Sequence, residues 1–236
     1  MISRISNSVG PLSSFSSVPS GPPVGGSIRF GRNDTTLRYL SIPASPDWAV
    51  GTGDFCVEWF QYQTQASPPQ YSRLFQVGDY PSHAISVSIE GGRFLVWVAN
   101  DRDFYGGNFL SNYLDRWVHF AVVRNSGQVS VYQDGTRIMT FSAPNDVNDT
   151  SNNLLIGAGS DQVWNGYMTN FRFTKGNSVY DATQTTITVP TEQLSPVTGT
   201  KLLLNFLSGS YLQDSSGLNK TVTQINGAIW SNLTPF

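Results

Sequence analysis

Two tight-turn signals, Asn125-Ser126-Gly127 and Asp134-Gly135, stand close together in the middle of the chain, separated by the strand-like run QVSVYQ. A two-residue hairpin turn needs positive φ at its centre, and Asp-Gly accepts it at little steric cost, as do small polar residues such as Asn-Ser-Gly. Before the first turn, Trp117, His119, Ala121 and Val123 fall on one side of an extended chain and Val118, Phe120 and Val122 on the other. A run that is largely apolar on both sides is an interior strand. The stretch from Trp117 to Thr140 is therefore predicted to be an antiparallel three-stranded meander, its first strand deep in a sheet.

The remainder suits an all-β fold. Charged and aromatic residues each make up 13% of 236 residues, beside 22 glycines and 13 prolines, a balance that favours short strands and tight turns over amphipathic helices. No window carries a 3.6-residue apolar stripe and no linker divides the chain, so a single domain is expected. A formal net charge of −2 without a Lys/Arg cluster offers nothing to a phosphate backbone, which argues against nucleic acid as a partner. Cys56 is the sole cysteine; it is expected to be buried, and the fold to stand on packing rather than on a disulfide. MISRISNSVG lacks the apolar run of a secretory signal, and no segment reaches the ~20 apolar residues of a membrane helix. The expectation is synthesis as a soluble cytosolic chain, without membrane insertion.

Residues 1–26 are rich in Ser, Pro and Gly, with scattered Ile5, Val9, Leu12, Phe15 and Val18, too little apolar surface to order themselves. They read as an N-terminal arm, either a plain leader or a tether to sister subunits or other structural proteins, and the folded domain as 27–236. Ile28, Phe30, Leu37, Tyr39 and Leu40 flank a polar turn at Asn33-Asp34, a first hairpin. GTGDFCVEWFQYQ alternates strictly: Phe55, Val57 and Trp59 form the core face, while Cys56, Glu58, Phe60 and Tyr62 face the other way. Arg73–Val77, Ala84–Ile89 and the run after Gly91-Gly92 give three more strands. From Asn100 to Tyr113 the pattern dissolves into what reads as a loop. Leu154–Ile156, the strand opened by Trp164-Asn165-Gly166-Tyr167, KLLLNFL, and Val222–Trp230 follow, the last closing the chain near where it began.

These landmarks resemble the laminin G-like branch of the concanavalin A-like lectin/glucanase superfamily. SIRF with Tyr39-Leu40-Ser41-Ile42-Pro43 resembles its opening strands, GTGDFCVEWF its Gly-x-Gly-Asp-Phe segment, RWVHFAVVRNSG with VYQDGTRI its Trp-x-His strand and Asp-Gly hairpin, LLIGAGSDQVWNGYMTNFRFTKG its Ile-Gly signature and Gly-Tyr strand, and DSSGLNKT its late turn. The likeness runs from about Gly26 to Ile229. It implies an antiparallel two-sheet jelly-roll sandwich whose concave face and rim loops bind ligands. Such modules recur in phage and large-virus structural proteins and in secreted adhesins, so the resemblance implies a virion or extracellular location after assembly.

Retaining hydrolases on this fold need two carboxyls ~5 Å apart, and Glu58, Glu90 and Glu192, the only glutamates, do not form the required strand pattern. No catalytic residue is therefore expected. His119 reads as a hydrogen-bonded core residue, and with His83 the only other histidine, no multi-histidine metal site is available. A structural calcium ion would leave little sequence trace; Asp34 and Asp214, in turns near opposite ends of the chain, are candidate ligands, with ordinary turn capping as the alternative. A glycan site needs an aromatic plate beside hydroxyl-binding groups on stiff loops. Asp101, Asp103, Tyr105 and Asn108 supply both; Asp161, Trp164 and Asn165 offer a second patch and Tyr80 a third. The alternative is that these aromatics pin long loops. Glu58, Phe60, Tyr62 and Trp97 are expected on an open sheet face unless something covers them, and an uncovered strip there would mark an interface. The expected function is a non-catalytic, lectin-like binding and assembly module of a virion, in an oligomer or larger assembly, with a glycan-free structural cement protein and a glycoside hydrolase as alternatives.

Overall fold

The computed structural model describes residues 25–33, 36–65, 70–79, 84–105, 113–159 and 162–236. Among the described residues there are strands and turns and no helix: β1 (Ser27–Asn33), β2 (Thr36–Ile42), β3 (Phe55–Gln63), β4 (Ser72–Val77), β5 (Ile85–Glu90), β6 (Arg93–Val98), β7 (Asp101–Tyr105), β8 (Trp117–Asn125), β9 (Gln128–Gln133), β10 (Thr136–Ser142), β11 (Leu154–Ile156), β12 (Gly166–Lys175), β13 (Thr200–Leu204), β14 (Thr223–Ile225) and β15 (Ile229–Ser231). All named pairs are antiparallel. The predicted meander is β8-β9-β10, with Ser126 and Gly127 and then Asp134 and Gly135 at positive φ.

One sheet runs β10-β9-β8-β3-β12, with β13 and β1 sharing the far edge of β12; the second runs β2-β11-β4-β5-β6-β7. β1 belongs to both. Ile28–Phe30 pair with β12, and Gly31–Asn33 pair with β2. The strand changes sheet at Gly31, whose φ is +148° and whose missing Cβ would stand 2.4 Å from Asn165 Oδ1, so only glycine fits. β14 on β2 and β15 on β1 complete the seam. At the opposite end the free edges β7 and β10 approach one another.

The core lies between the sheets. Trp59 stacks on Phe120 (centroids 5.6 Å apart), Phe120 stacks on Phe94 (5.0 Å), and Phe75 meets both Trp59 and Phe171 edge-on at 5.4 Å. Phe55, Val57 and Trp59 all face inward and are wholly buried, as their alternation predicts. Each such aromatic buries enough apolar area to outweigh many weaker contacts.

The other face of β3 departs from expectation. Glu58 is 0% exposed and Phe60 5%, because residues 176–198 lie across this sheet as a strap. Pro190 and Pro196 lack N–H donors and suit the strap poorly to a ladder, and side chains from the sheet satisfy its backbone instead. Ser130 Oγ donates to the Ala182 carbonyl (2.7 Å), Tyr132 OH to that of Gln184 (2.8 Å) and Arg172 Nη1 to that of Ser195 (2.6 Å). A bulge in β12 holds Asn170 at φ +51°, a conformation asparagine tolerates, and its Oδ1 accepts from Leu194 N at 2.8 Å. Val179, Tyr180 and Ile187 pack on the buried Cys56, Ala121, Val123 and Tyr132. Further along the face, the Phe236 ring sits 5.1 Å from Phe60.

Beneath the strap, Glu58 Oε1 accepts from both Arg172 Nε (2.9 Å) and Nη2, while Oε2 accepts from His119 Nε2 (3.2 Å) and Tyr180 OH (2.8 Å). Burial pushes the carboxyl up, but the His119 hydrogen bond and the Arg172 charge outweigh it and hold Glu58 below the ordinary glutamate range. Burial and the Glu58 charge push the Tyr180 phenol up, so it remains a donor. Glu58→Gln leaves the Arg172 guanidinium buried without its counter-charge and is expected to cost about 3–5 kcal/mol in urea unfolding; a loss under about 1 kcal/mol, typical of an exposed pair, would contradict this. Because the folded pKa is depressed, the stabilisation is fully present above the unfolded value of about 4.3 and is lost as pH falls through the lower folded value. The stability gap between wild type and Glu58→Gln is therefore expected to narrow in acid.

Candidate functional site

Most residues singled out from the sequence have structural partners. Glu58 is sealed under the strap and cannot touch a ligand. Trp164 is 0% exposed, its Nε1 donating to Gln63 Oε1 at 2.5 Å and its ring 6.2 Å from Phe30. It is a core residue rather than a sugar plate. Asn165 Oδ1 accepts from Arg32 N (3.0 Å) and its Nδ2 donates to Gln65 (2.8 Å), fixing the strand that switches sheets. Tyr62 is half-buried between Trp117 (5.7 Å, 67°) and Tyr167 (6.0 Å, 89°); rings standing edge to face offer no flat surface. Asp34, Tyr80, Asn108 and Asp161 lie outside the described residues, as do residues 1–24 of the arm; Gly25 and Gly26 are buried in the domain.

Asp101, Asp103 and Tyr105 are not in a loop. They form β7, paired with Val98, Val96 and Phe94 of β6. The turn before it, Ala99-Asn100, carries positive φ at both residues, the geometry of a tight hairpin. As an edge strand, β7 keeps charged side chains that discourage pairing with another chain, which is why it reads as irregular. Asp101 Oδ2 accepts from Asn145 Nδ2 and Asp103 Oδ1 from Phe104 N, both at 2.8 Å. Asp214 is 3% exposed and caps a turn: it accepts from the amides of Leu203 (3.1 Å), Ser216 (2.9 Å) and Lys220 (3.0 Å) and from the Ser216 hydroxyl (2.7 Å). Oxygens committed to N–H and O–H donors are poor calcium ligands. Among the described residues no three His, Cys, Asp or Glu side chains cluster to hold a metal.

What the sequence reading missed lies on the outer face of the second sheet. While Phe75, Val87 and Val96 point into the core, a row of partners runs across the opposite face, one residue per strand: Leu155 (β11), Gln76 (β4), Ser86 (β5), Trp97 (β6) and Arg102 (β7). Gln76 is 3% exposed and Ser86 0%, yet Gln76 Oε1 and Ser86 Oγ have no hydrogen-bond partner. At this end of the row a cavity of about 350 Å³ is lined by Gln76, Asp79, Ser151, Asn152, Asn153 and Leu155. Its rim is held in place. Asn153 bridges Ala44 N (2.9 Å) and Ser41 Oγ (3.0 Å), and Asp149 accepts from Ser151 and Asn152. Burial opposes the Asp149 charge, but those donors outweigh it and keep the carboxyl low. At the other end Trp97 is half-buried under the Arg102 guanidinium, 4.5 Å from the ring centroid. Off the row, at the far end of β5, Glu90 accepts from Arg73 (2.7 Å) and Ser88 (2.9 Å).

A cavity walled by several side-chain amides and hydroxyls favours a ligand bearing hydroxyl or amide groups of its own. Amides of Asn152 and Asn153 fixed by hydrogen bonds, in a mostly polar cavity, form an orienting polyol site rather than a reactive one. The alternation of Ser86 and Ser88 with Ile85, Val87 and Ile89 was the one sequence signal of this polar face.

Residues 34–188 match the model of a family described as Laminin_G_3, concanavalin A-like lectin/glucanases superfamily. A candidate carbohydrate-binding protein of Bacteroides ovatus is similar in structure, with a TM-score of 0.60 at 15% identity over 94% of this chain and 66% of its own. Domain 4 of AbnA, an extracellular arabinanase of Geobacillus stearothermophilus seen with arabinotriose, gives a TM-score of 0.45 at 16% identity over 66% of this chain and 82% of its own. A heptameric pentraxin of Limulus polyphemus gives 0.44 at 14% over 63% and 75%. None of the curated proteins matches the sequence. With its two antiparallel sheets and a family match over more than half its length, the chain belongs to the Laminin_G_3 family of the concanavalin A-like lectin/glucanase superfamily.

Proposed function

We propose that this domain is a non-catalytic, lectin-like module that binds carbohydrate on the outer face of its second sheet. The observation that carries the reading is the cavity of about 350 Å³ walled by the side-chain amides of Gln76, Asn152 and Asn153 with Ser151 and Asp79, a polar set matched to sugar hydroxyls. Family membership and the similar fold of the Bacteroides candidate carbohydrate-binding protein point the same way. A non-catalytic role is favoured by the state of the carboxylates. Hydrolysis needs two, about 5–9.5 Å apart, whereas Glu58 is engaged by Arg172, His119 and Tyr180 and Glu90 by Arg73, leaving Asp79 as the cavity's one acidic residue among those described.

The narrower part of the proposal rests on sequence: residues 1–26 tether the module to sister subunits or other structural proteins of a virion or extracellular assembly. Removing residues 1–24 is expected to leave the melting temperature unchanged and to lower the oligomeric state seen by light scattering; an unaltered oligomer would refute the tether. For the site itself, Gln76→Met replaces an unsatisfied buried amide by an apolar side chain of similar length. Stability is expected to stay level or rise, while binding on an oligosaccharide array weakens about tenfold, ~1.4 kcal/mol. Binding that survives the change would remove Gln76 from the site, and an array without hits would favour the cement-protein alternative.

A further inference from the structure

The outer face of the second sheet changes character along its length. The cavity end carries Gln76, Asn152, Asn153 and the carboxylate of Asp79. At the β6–β7 end, Arg102 lies over Trp97 (4.5 Å) and Arg93 over Phe104 (4.2 Å), and the two guanidiniums flank a smaller pocket of about 120 Å³ with Glu90, Leu95 and Phe104. Glu90 is already neutralised by Arg73 at 2.7 Å. Among the described residues no ion pair includes Arg93 or Arg102. Both side chains are exposed.

A guanidinium held over an aromatic ring has lost much of its conformational freedom while keeping N–H donors for an oxyanion, which it can grip through paired hydrogen bonds. Two of them beside one pocket, with no carboxylate of their own, form a prepared anion site. Three strand spacings of about 4.8 Å put the Arg102 position about 14 Å from that of Gln76, farther than one sugar ring spans and within reach of a short oligosaccharide. Arg93 and Arg102 both stand at the β6–β7 end, so a negative charge has one preferred end of the row.

We infer that the site takes a linear oligosaccharide bearing a carboxylate or sulfate, laid across the strands with a neutral sugar in the Gln76 cavity and the oxyanion between Arg93 and Arg102. This rests on the carbohydrate reading and adds the class of sugar, the direction of the chain and the residues that select it.

The test is an array of short oligosaccharides in matched sets, each backbone present as its neutral, uronate and sulfated form, with a poly-glutamate peptide beside them. Wild-type protein is compared with the Arg93→Gln/Arg102→Gln double variant, whose changes lie on the exposed face and whose melting temperature checks the fold. The expected result is tenfold or greater preference for anionic forms, lost in the double variant, with the neutral forms bound equally by both proteins. Raising the salt concentration should weaken only the anionic hits. Uronate hits and sulfate hits separate the two sources of the charge. Equal binding of neutral and anionic forms, a preference untouched by the double variant, or capture of the acidic peptide without the sugars overturns the inference. In the first two cases the carbohydrate reading still stands; an array with no sugar hits overturns both.

Discussion

An ionised carboxylate shut away from water survives only where donors replace its hydration, and in this protein the arrangement that does so for Glu58 also decides which surface is free. Arg172 comes from the neighbouring strand β12, His119 from β8, and Tyr180 from a strap with no regular structure. Tyr180 can reach the carboxylate only if residues 176–198 lie flat across the sheet, and once there the strap closes the face on which an open binding surface was expected. The same charge that makes Glu58 look like a site residue is what buries it.

The two outer faces of the sandwich thereby divide their roles. On the first sheet, Ser130, Tyr132 and Arg172 donate hydrogen bonds into the strap and Asn170 accepts one from it, so the strap covers that face. On the second sheet, Gln76 and Ser86 remain buried and unmatched, and Arg93 and Arg102 are steadied by aromatic rings rather than by acids. Interiors tolerate few unmatched polar groups. Among the described residues each outer face keeps such groups, His119 Nδ1 and Trp117 Nε1 on the first and Gln76 Oε1 and Ser86 Oγ on the second; what sets the second face apart is that Gln76 also lines a cavity.

Much of the scaffold was legible because its signals are local. Asp134-Gly135 announces a turn by its own backbone preferences, and Phe55-Val57-Trp59 announce a core face by alternation alone. The failures were non-local. Nothing in FCVEWFQYQ says that a strap more than a hundred residues downstream will cover Glu58 and Phe60. Trp164 looks like a loop aromatic because the Gln63 that receives its N–H is equally remote in sequence. β7 was lost for a different reason: an edge strand with one partner is free to be polar, so DRDFY shows none of the apolar alternation that marks an interior strand. The row on the second sheet escaped because Leu155, Gln76, Ser86, Trp97 and Arg102 come from five strands and line up only through cross-strand register.

The strand that changes sheets at Gly31 is flanked by the last two strands to be made, β15 on its first half and β14 on its hairpin partner. A join held by both early and late segments closes only by bringing together parts of the chain separated by nearly its whole length, and such long-range pairings must meet the entropy of closing a large loop before they stabilise anything. The join between the sheets is therefore expected to form after the local hairpins on either side of it, and the two sheets to become one cooperative body late in folding.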